Sequence, residues 1–241
     1  MPLHAETPSL FRHGDRDAMV ETLAAKIAAR LEAGIAARGA ASFAVSGGST
    51  PAPLYERLSA IELDWSKVTV VLVDERWVDR GKAGSNADFV AASLLQNLAA
   101  AARFVELKTA DSTPKAGLAE LEKRLAIVPQ PFDAIVLGMG GDGHTASWFP
   151  HAAGLSEALD PASGPLAAIR AHPSDVTGPF LDRMTLTKPA LDEAGLSVLM
   201  LTGQGKLDTL EQALGEGLVE DMPVRALLRP PASNFEIHWA G

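Results

Sequence analysis

The 241-residue chain contains no cysteine, which excludes disulfides, zinc–thiolate and iron–sulfur sites, and thiol nucleophiles. A nucleophile must be water or another side chain. Also missing is an apolar run long enough to span a bilayer. The longest aliphatic stretches are VTVVLV at 68–73 and LSVLML at 196–201, against the roughly 20 residues that a spanning helix needs. The N-terminal MPLHAETPSLFRHGDRD has no basic stretch followed by an apolar region, so no leader and no membrane association are expected, and the cytoplasm is the default location. Positive charge is in deficit too: 21 Lys+Arg against 30 Asp+Glu give a formal net charge of −9, which argues against nucleic acid as a partner. Hydrophobic residues make up 47% of the chain and charged residues 21%, which leaves enough apolar material for a substantial core.

Val20, Leu23, Ile27, Leu31 and Ile35 recur at spacings of three and four and predict a helix ending near Gly39. Next come the apolar run SFAV (42–45), the turn SGGST (46–50), and Pro51 opening PAPLYERLSAI, a start suited to a helix. This strand, loop and helix pattern recurs in VTVVLV, an alanine-rich helical stretch at 89–102, FVEL (104–107), a helical stretch at 115–126 and DAIVLG (133–138). After residue 150 the sequence loosens, then resumes with LAAIRA (166–171), RMTLT (183–187), LSVLMLTG (196–203), helical GKLDTLEQAL (205–214) and strand-like FEIHW (235–239). Alternating strands and helices predict one α/β domain over 1–241, with a mainly parallel sheet covered by helices on both faces. Ligands of such sheets bind beyond the carboxyl ends of the strands, and four segments there carry chemistry.

In SGGSTP (46–51), Gly47 and Gly48 let backbone N–H groups face a common concavity, and Ser49 and Thr50 add hydroxyls beside a helix start, a phosphate-binding arrangement. The alternative is a tight turn with a Ser/Thr helix cap. DERWV (74–78) follows VTVVLV. Three consecutive charges are commonly solvated surface, but in a crevice Arg76 can hold phosphate or carboxylate oxygens in two contacts. GMGGDGHTASWFP (138–150) contains G-x-G-x-x-G. A dinucleotide fingerprint is rejected because the motif lies past mid-chain and the acid at the appropriate distance, Asp160, does not end a strand. His144, directly after the glycines, is placed to act as a general base on water, with Asp142 two residues earlier either orienting it or forming the turn. The remaining histidines, His4, His13, His151, His172 and His238, read as surface or structural, and no pair has metal-ligand spacing. Finally, Arg183 in RMTLT and Lys206 in TGQGK can converge on the glycine loop; single cations of this kind are more commonly surface charge.

Taken in this order, SGGSTP, DERWV, GMGGDGHTASWFP, RMTLT and LTGQGK resemble the 6-phosphogluconolactonase family over about residues 10–240. The resemblance implies a Rossmann-like three-layer α/β sandwich related to glucosamine-6-phosphate deaminase and ribose-5-phosphate isomerase. It implies hydrolysis of 6-phospho-D-glucono-1,5-lactone to 6-phosphogluconate in the oxidative pentose phosphate pathway, without metal or organic cofactor; no obligatory protein partner is evident in the sequence. His144 matches the family's general base, Arg76 and Lys206 its basic residues around the phosphate or reacting end, and Gly47, Gly48, Ser49 and Thr50 its substrate loop. Arg183 is a further phosphate candidate, and Ser85-Asn86 fits the family's loop after DERWV without an assigned role.

Two alternatives remain in view. Amino-sugar-phosphate deaminases share the phosphate loop and the histidine element, but there the histidine precedes I-A-F-N-E-P, whereas this chain has T-A-S-W-F-P, with Trp148 and Phe149 at the Asn-Glu positions. A non-catalytic sugar-phosphate sensor would need an output module, and no DNA-binding region is expected before the first strand.

Overall fold

The computed structural model describes residues 8–230 and 232–241. Strand β1, Ser9–His13, precedes the first helix, where no apolar run predicts a strand. It pairs on one flank only, at the end of the sheet, so its largely exposed residues need no apolar run to mark them. The spacing of Val20, Leu23, Ile27 and Leu31 becomes the buried face of helix α1, Arg16–Arg38. Asp15 caps its start by accepting from Ala18 N, and Gly39 ends it at φ 77°, a left-handed position where the absence of a Cβ removes the steric penalty. Burial of each large apolar side chain on that face contributes about 1.5–3 kcal/mol, so packing on the sheet holds the helix.

The chain continues through β2 (Ala41–Val45), α2 (Ala52–Ser59) and β3 (Val68–Leu72). The other strands of the same sheet are β5 (Arg103–Val105), β6 (Ala134–Leu137), β9 (Ser197–Thr202) and β10 (Phe235–Ala240). Their order is β1-β10-β9-β6-β2-β3-β5, and every pairing is parallel. Every residue of β2, β3 and β6 is buried, as expected of parallel strands covered on both faces. The helices that follow include α3 (Asn86–Ser93), α4 (Pro114–Leu125), α5 (Leu155–Leu159), α6 (Lys188–Asp192) and α7 (Gln204–Leu214), with Leu121, Leu125, Leu207 and Leu210 in the core.

Three later segments leave the parallel sheet. β4 (Asp74–Arg76), β7 (Leu166–Arg170) and β8 (Asp182–Leu186) form a separate antiparallel sheet in the order β4-β8-β7. No helix lies between β7 and β8, so that connection lacks the helical crossover that usually joins parallel neighbours. Val73 is the pivot between the two sheets: its N–H donates to Val45 O at 2.9 Å and its carbonyl accepts from Leu186 N at 2.8 Å.

The helical stretch expected at 89–102 is also corrected. α3 starts earlier, at Asn86, and ends at Ser93; a separate 3-10 turn covers Asn97–Ala101. Asn97 adopts φ 48°, which interrupts a continuous helix. The early start has a local cap, Ser85 Oγ accepting from Asp88 N at 3.2 Å, and a second support from β4. Glu75 projects to the end of α3, where its carboxyl group accepts from Asn86 N, Ala87 N and its neighbour Arg76 N, each at 2.8 Å. Burial pushes that carboxyl up to about 7, against the pull of the three N–H donors.

Because the folded-state value lies above the ordinary 4.5, the stability contributed by Glu75 is fully present below that ordinary value and is lost as pH rises through about 7. Glu75→Ala strands buried N–H groups and is expected to destabilise the chain by about 1–3 kcal/mol. Urea unfolding across roughly pH 4 to 8 should also show a flatter pH dependence in the variant than in the parent chain.

Candidate active site

The carboxyl ends of β2, β6 and β9, together with β4 and the segments that follow them, enclose a cavity of about 480 Å³. Gly47, Gly48, Ser49 and Thr50 all line it. The helix-cap alternative for this loop is not realised: α2 has Pro51 at its N-cap and no side-chain cap hydrogen bond. The Ser49 and Thr50 hydroxyls are therefore not committed to capping α2. Gly47 is required by close packing, since a Cβ there would lie 2.0 Å from Asn86 Oδ1. From the far side, Arg16 Nη2 donates to the Ser49 and Thr50 carbonyls, each at 3.3 Å.

Beyond β6 the glycine-rich segment turns back on itself without starting a helix. The next helix is α5, Leu155–Leu159, so there is no helix N-terminus directly after the glycines to receive a pyrophosphate. Gly140 N instead donates to His144 O at 2.8 Å, which returns the chain so that His144 lies against Asp142. The His144 Nδ1 to Asp142 Oδ1 distance is 2.6 Å, and the same oxygen accepts from His144 N at 3.1 Å. Asp142 thus both shapes the turn and orients the imidazole. Burial raises the Asp142 carboxyl, but the hydrogen bond and charge of His144 outweigh it and leave it below its ordinary value. An ionised carboxylate only accepts, so Nδ1–H is the donor in this contact, and Nε2 is the nitrogen that accepts when the imidazole is neutral. Gly140 permits this pair: a Cβ would lie 2.1 Å from His144 Nδ1.

The imidazole packs on Phe149 with ring centroids 4.3 Å apart, and the Arg183 guanidinium lies 5.2 Å from the same ring. Trp148 is fully buried and donates through Nε1 to Leu186 O. The two positions that separate this chain from the deaminase pattern are therefore filled by packed aromatic rings.

Arg76, Arg183 and Lys206 all line the cavity, each held differently. Arg76 donates through Nη1 to Gly84 O at 2.7 Å, while its buried Nε has no partner. Lys206, in the first turn of α7, donates to Met139 O at 2.8 Å, and burial lowers its pKa while Asp142 pulls the other way. Arg183 is 3% exposed. Its Nε donates to Phe180 O and its Nη2 to Thr177 O, so it anchors the 172–181 loop, and its Nη1 lies 4.0 Å from Asp74 Oδ2. Burial takes its pKa down to about 10, which keeps it charged at neutral pH.

Asp74 and Asn86 also line the cavity, although no role was assigned to them from sequence. Asp74 accepts from Ser147 Oγ, and Asn86 Nδ2 donates to Asp74 O at 2.8 Å. The signal was the period of two in DER: alternate strand residues face opposite sides, so Asp74 and Arg76 share the cavity side while Glu75 turns to α3.

The other histidines lie elsewhere. His13 Nε2 is 2.9 Å from His238 Nδ1, His238 Nε2 is 2.9 Å from Glu236, His151 meets Asp221, and His172 meets the His151 carbonyl; His4 is outside the described residues. Among the described residues no group of three or more His, Asp or Glu side chains is arranged to hold a metal ion. None of the helices among them is long and apolar enough to cross a membrane.

A family model described as glucosamine-6-phosphate isomerases/6-phosphogluconolactonase matches residues 14–239. A 6-phosphogluconolactonase of Rhizobium meliloti (strain 1021) is 49% identical over 92% of this chain and 94% of its own length. One from Mesorhizobium japonicum is 42% identical over 94% of this chain and 92% of its own. The crystal structure of a 6-phosphogluconolactonase from Shewanella baltica OS155 superposes with a TM-score of 0.92 at 40% identity, covering 98% of this chain and 99% of that one. The match across nearly the whole chain, in sequence and in fold, places this protein in the glucosamine-6-phosphate isomerase/6-phosphogluconolactonase family.

Proposed function

We propose that the chain hydrolyses the ring ester of 6-phospho-D-glucono-1,5-lactone to 6-phospho-D-gluconate, with water activated by His144. The observation that carries this reading is the 2.6 Å contact by which Asp142 orients His144, whose ring lines one cavity with Lys206 and the glycine loop. The names of the relatives, at up to 49% identity, support the choice of substrate. The aromatic side chains of Trp148 and Phe149 favour it over an amino-sugar-phosphate deaminase.

In this mechanism the phosphate lies at the loop Gly47–Thr50 with Lys206, where backbone N–H groups, hydroxyls and an ammonium provide donors. His144 Nε2 removes a proton from water as its oxygen bonds to the C1 carbonyl carbon. The electron pair of the carbonyl moves onto its oxygen, and Arg76 stabilises that oxyanion. The carbonyl then re-forms as the bond from C1 to the ring oxygen breaks. The imidazolium gives its proton to that oxygen, restoring neutral His144. Asp142 stabilises the imidazolium and holds the tautomer in which Nε2 is the acceptor. A δ-lactone is a reactive ester, so one oriented base and a few donors suffice without a covalent intermediate. Arg183, engaged with its own loop, shapes the wall behind Phe149 and adds positive charge.

His144→Ala is expected to lower kcat by about 10²–10⁴-fold, measured in a fast continuous assay with the spontaneous rate subtracted. Undiminished turnover would refute the assigned base. Asp142→Asn should depress kcat with a smaller change in KM, since it alters the tautomer and leaves the phosphate site intact. Lys206→Ala should raise KM roughly 10- to 100-fold, the value of a lost charge-assisted contact. It should also weaken competitive inhibition by inorganic phosphate.

A further inference from the structure

Buried polar side chains in folded proteins are almost always hydrogen-bonded, and among the described residues two buried side-chain atoms have no partner: Ser46 Oγ and Arg76 Nε. Both residues line the same cavity. One of them, Arg76, already has a place in the mechanism above. Ser46 has none.

The position of Ser46 is set from several directions. Val45 pairs with Val136 of β6 and Leu72 of β3, so Ser46 is level with Leu137 and Val73, at the point where the chain leaves β2 between two other strand ends. On one side the chain continues into the loop that carries His144; on the other it continues into Asp74 and Arg76. The Ser46 carbonyl accepts from the fully buried Tyr55 Oη at 2.9 Å, and the next residue, Gly47, is pressed against Asn86. The backbone is therefore held, although the hydroxyl contributes no hydrogen bond to the fold. It does not cap α2 either, whose N-cap lies five residues further on at Pro51.

We propose that Ser46 is a substrate-contacting residue whose hydroxyl forms a hydrogen bond with a sugar hydroxyl between the phosphate and C1. This rests on the lactonase reading above. A phosphate needs donors only, and Ser49, Thr50, Lys206 and backbone N–H groups supply them. A sugar hydroxyl both donates and accepts, and the serine hydroxyl does the same. Ser46 lies directly before the glycine loop that takes the phosphate and between the chain segments that carry His144 and Arg76, which act at C1, so it matches the part of the substrate between its two ends.

The test compares the parent chain with Ser46→Ala in three measurements. Removing a hydroxyl that has no protein partner should leave the thermal midpoint unchanged or raised. kcat/KM for 6-phospho-D-glucono-1,5-lactone, and affinity for 6-phosphogluconate by calorimetry, should each fall about 3- to 10-fold, the value of one neutral hydrogen bond. Inhibition by inorganic phosphate should be unaffected. Equal kcat/KM and equal product affinity in the two proteins would overturn the proposal. So would a matching loss of phosphate inhibition, which would put the hydroxyl on the phosphate, or a lowered midpoint, which would give it a structural partner. A parent chain that neither hydrolyses the lactone nor binds 6-phosphogluconate would overturn the lactonase reading itself, a result distinct from an active parent with an indifferent variant.

Discussion

All seven strands of the main sheet run parallel, and a parallel sheet brings every carboxyl end to one edge. The chain moves outward from β2 to β3 and β5, then crosses to the other side of β2 to lay down β6, β9 and β10. Connections leaving β2 and β6 therefore diverge to opposite sides, and the crevice between them becomes the cavity, as the general rule for open α/β sheets requires. The glycine loop, the His144 turn and Lys206 are far apart in sequence and meet because each follows a strand ending on that edge.

The second constraint is the departure of the chain from the sheet at Val73. Hydrogen bonds on either side of that residue belong to different sheets, so β4 turns away from the parallel array and passes along the cavity wall. One strand then serves two purposes through its alternation. Asp74 and Arg76 line the cavity, while Glu75 secures the first turn of α3. Asn86, in that same turn, packs on Gly47 and bonds to Asp74 O, which couples the glycine loop to the wall. Anion binding by a chain with net charge −9 is consistent with this layout, because a ligand in a partly buried site responds to the nearest donors more than to a screened surface total.

The period and position of residues were enough to read most of the fold. α1 was legible because Val20, Leu23, Ile27 and Leu31 mark one face and Gly39 ends it; β2, β3, β6 and β9 were legible because buried parallel strands are continuous apolar runs. β1 was not, since an edge strand needs no apolar pattern. The start of α3 was only partly legible: Ser85 caps it locally, but Glu75, which accepts from its first two N–H groups, comes from another element. The antiparallel pairing of β7 with β8 was a matter of connection length and partner choice, which the apolar runs do not encode.

Within the candidate site, local sequence determined the glycine turns, the strand-to-loop placement of His144 and the proximity of Asp142, because these depend on neighbours only a few residues away. Tertiary structure alone decided the rest. It made Asp74 a cavity residue and not surface charge, tied Arg183 to the carbonyls of Thr177 and Phe180, and left Ser46 Oγ and Arg76 Nε buried without partners. Whether a polar atom is paired depends on groups brought from distant parts of the chain, and no local pattern records which of them arrive.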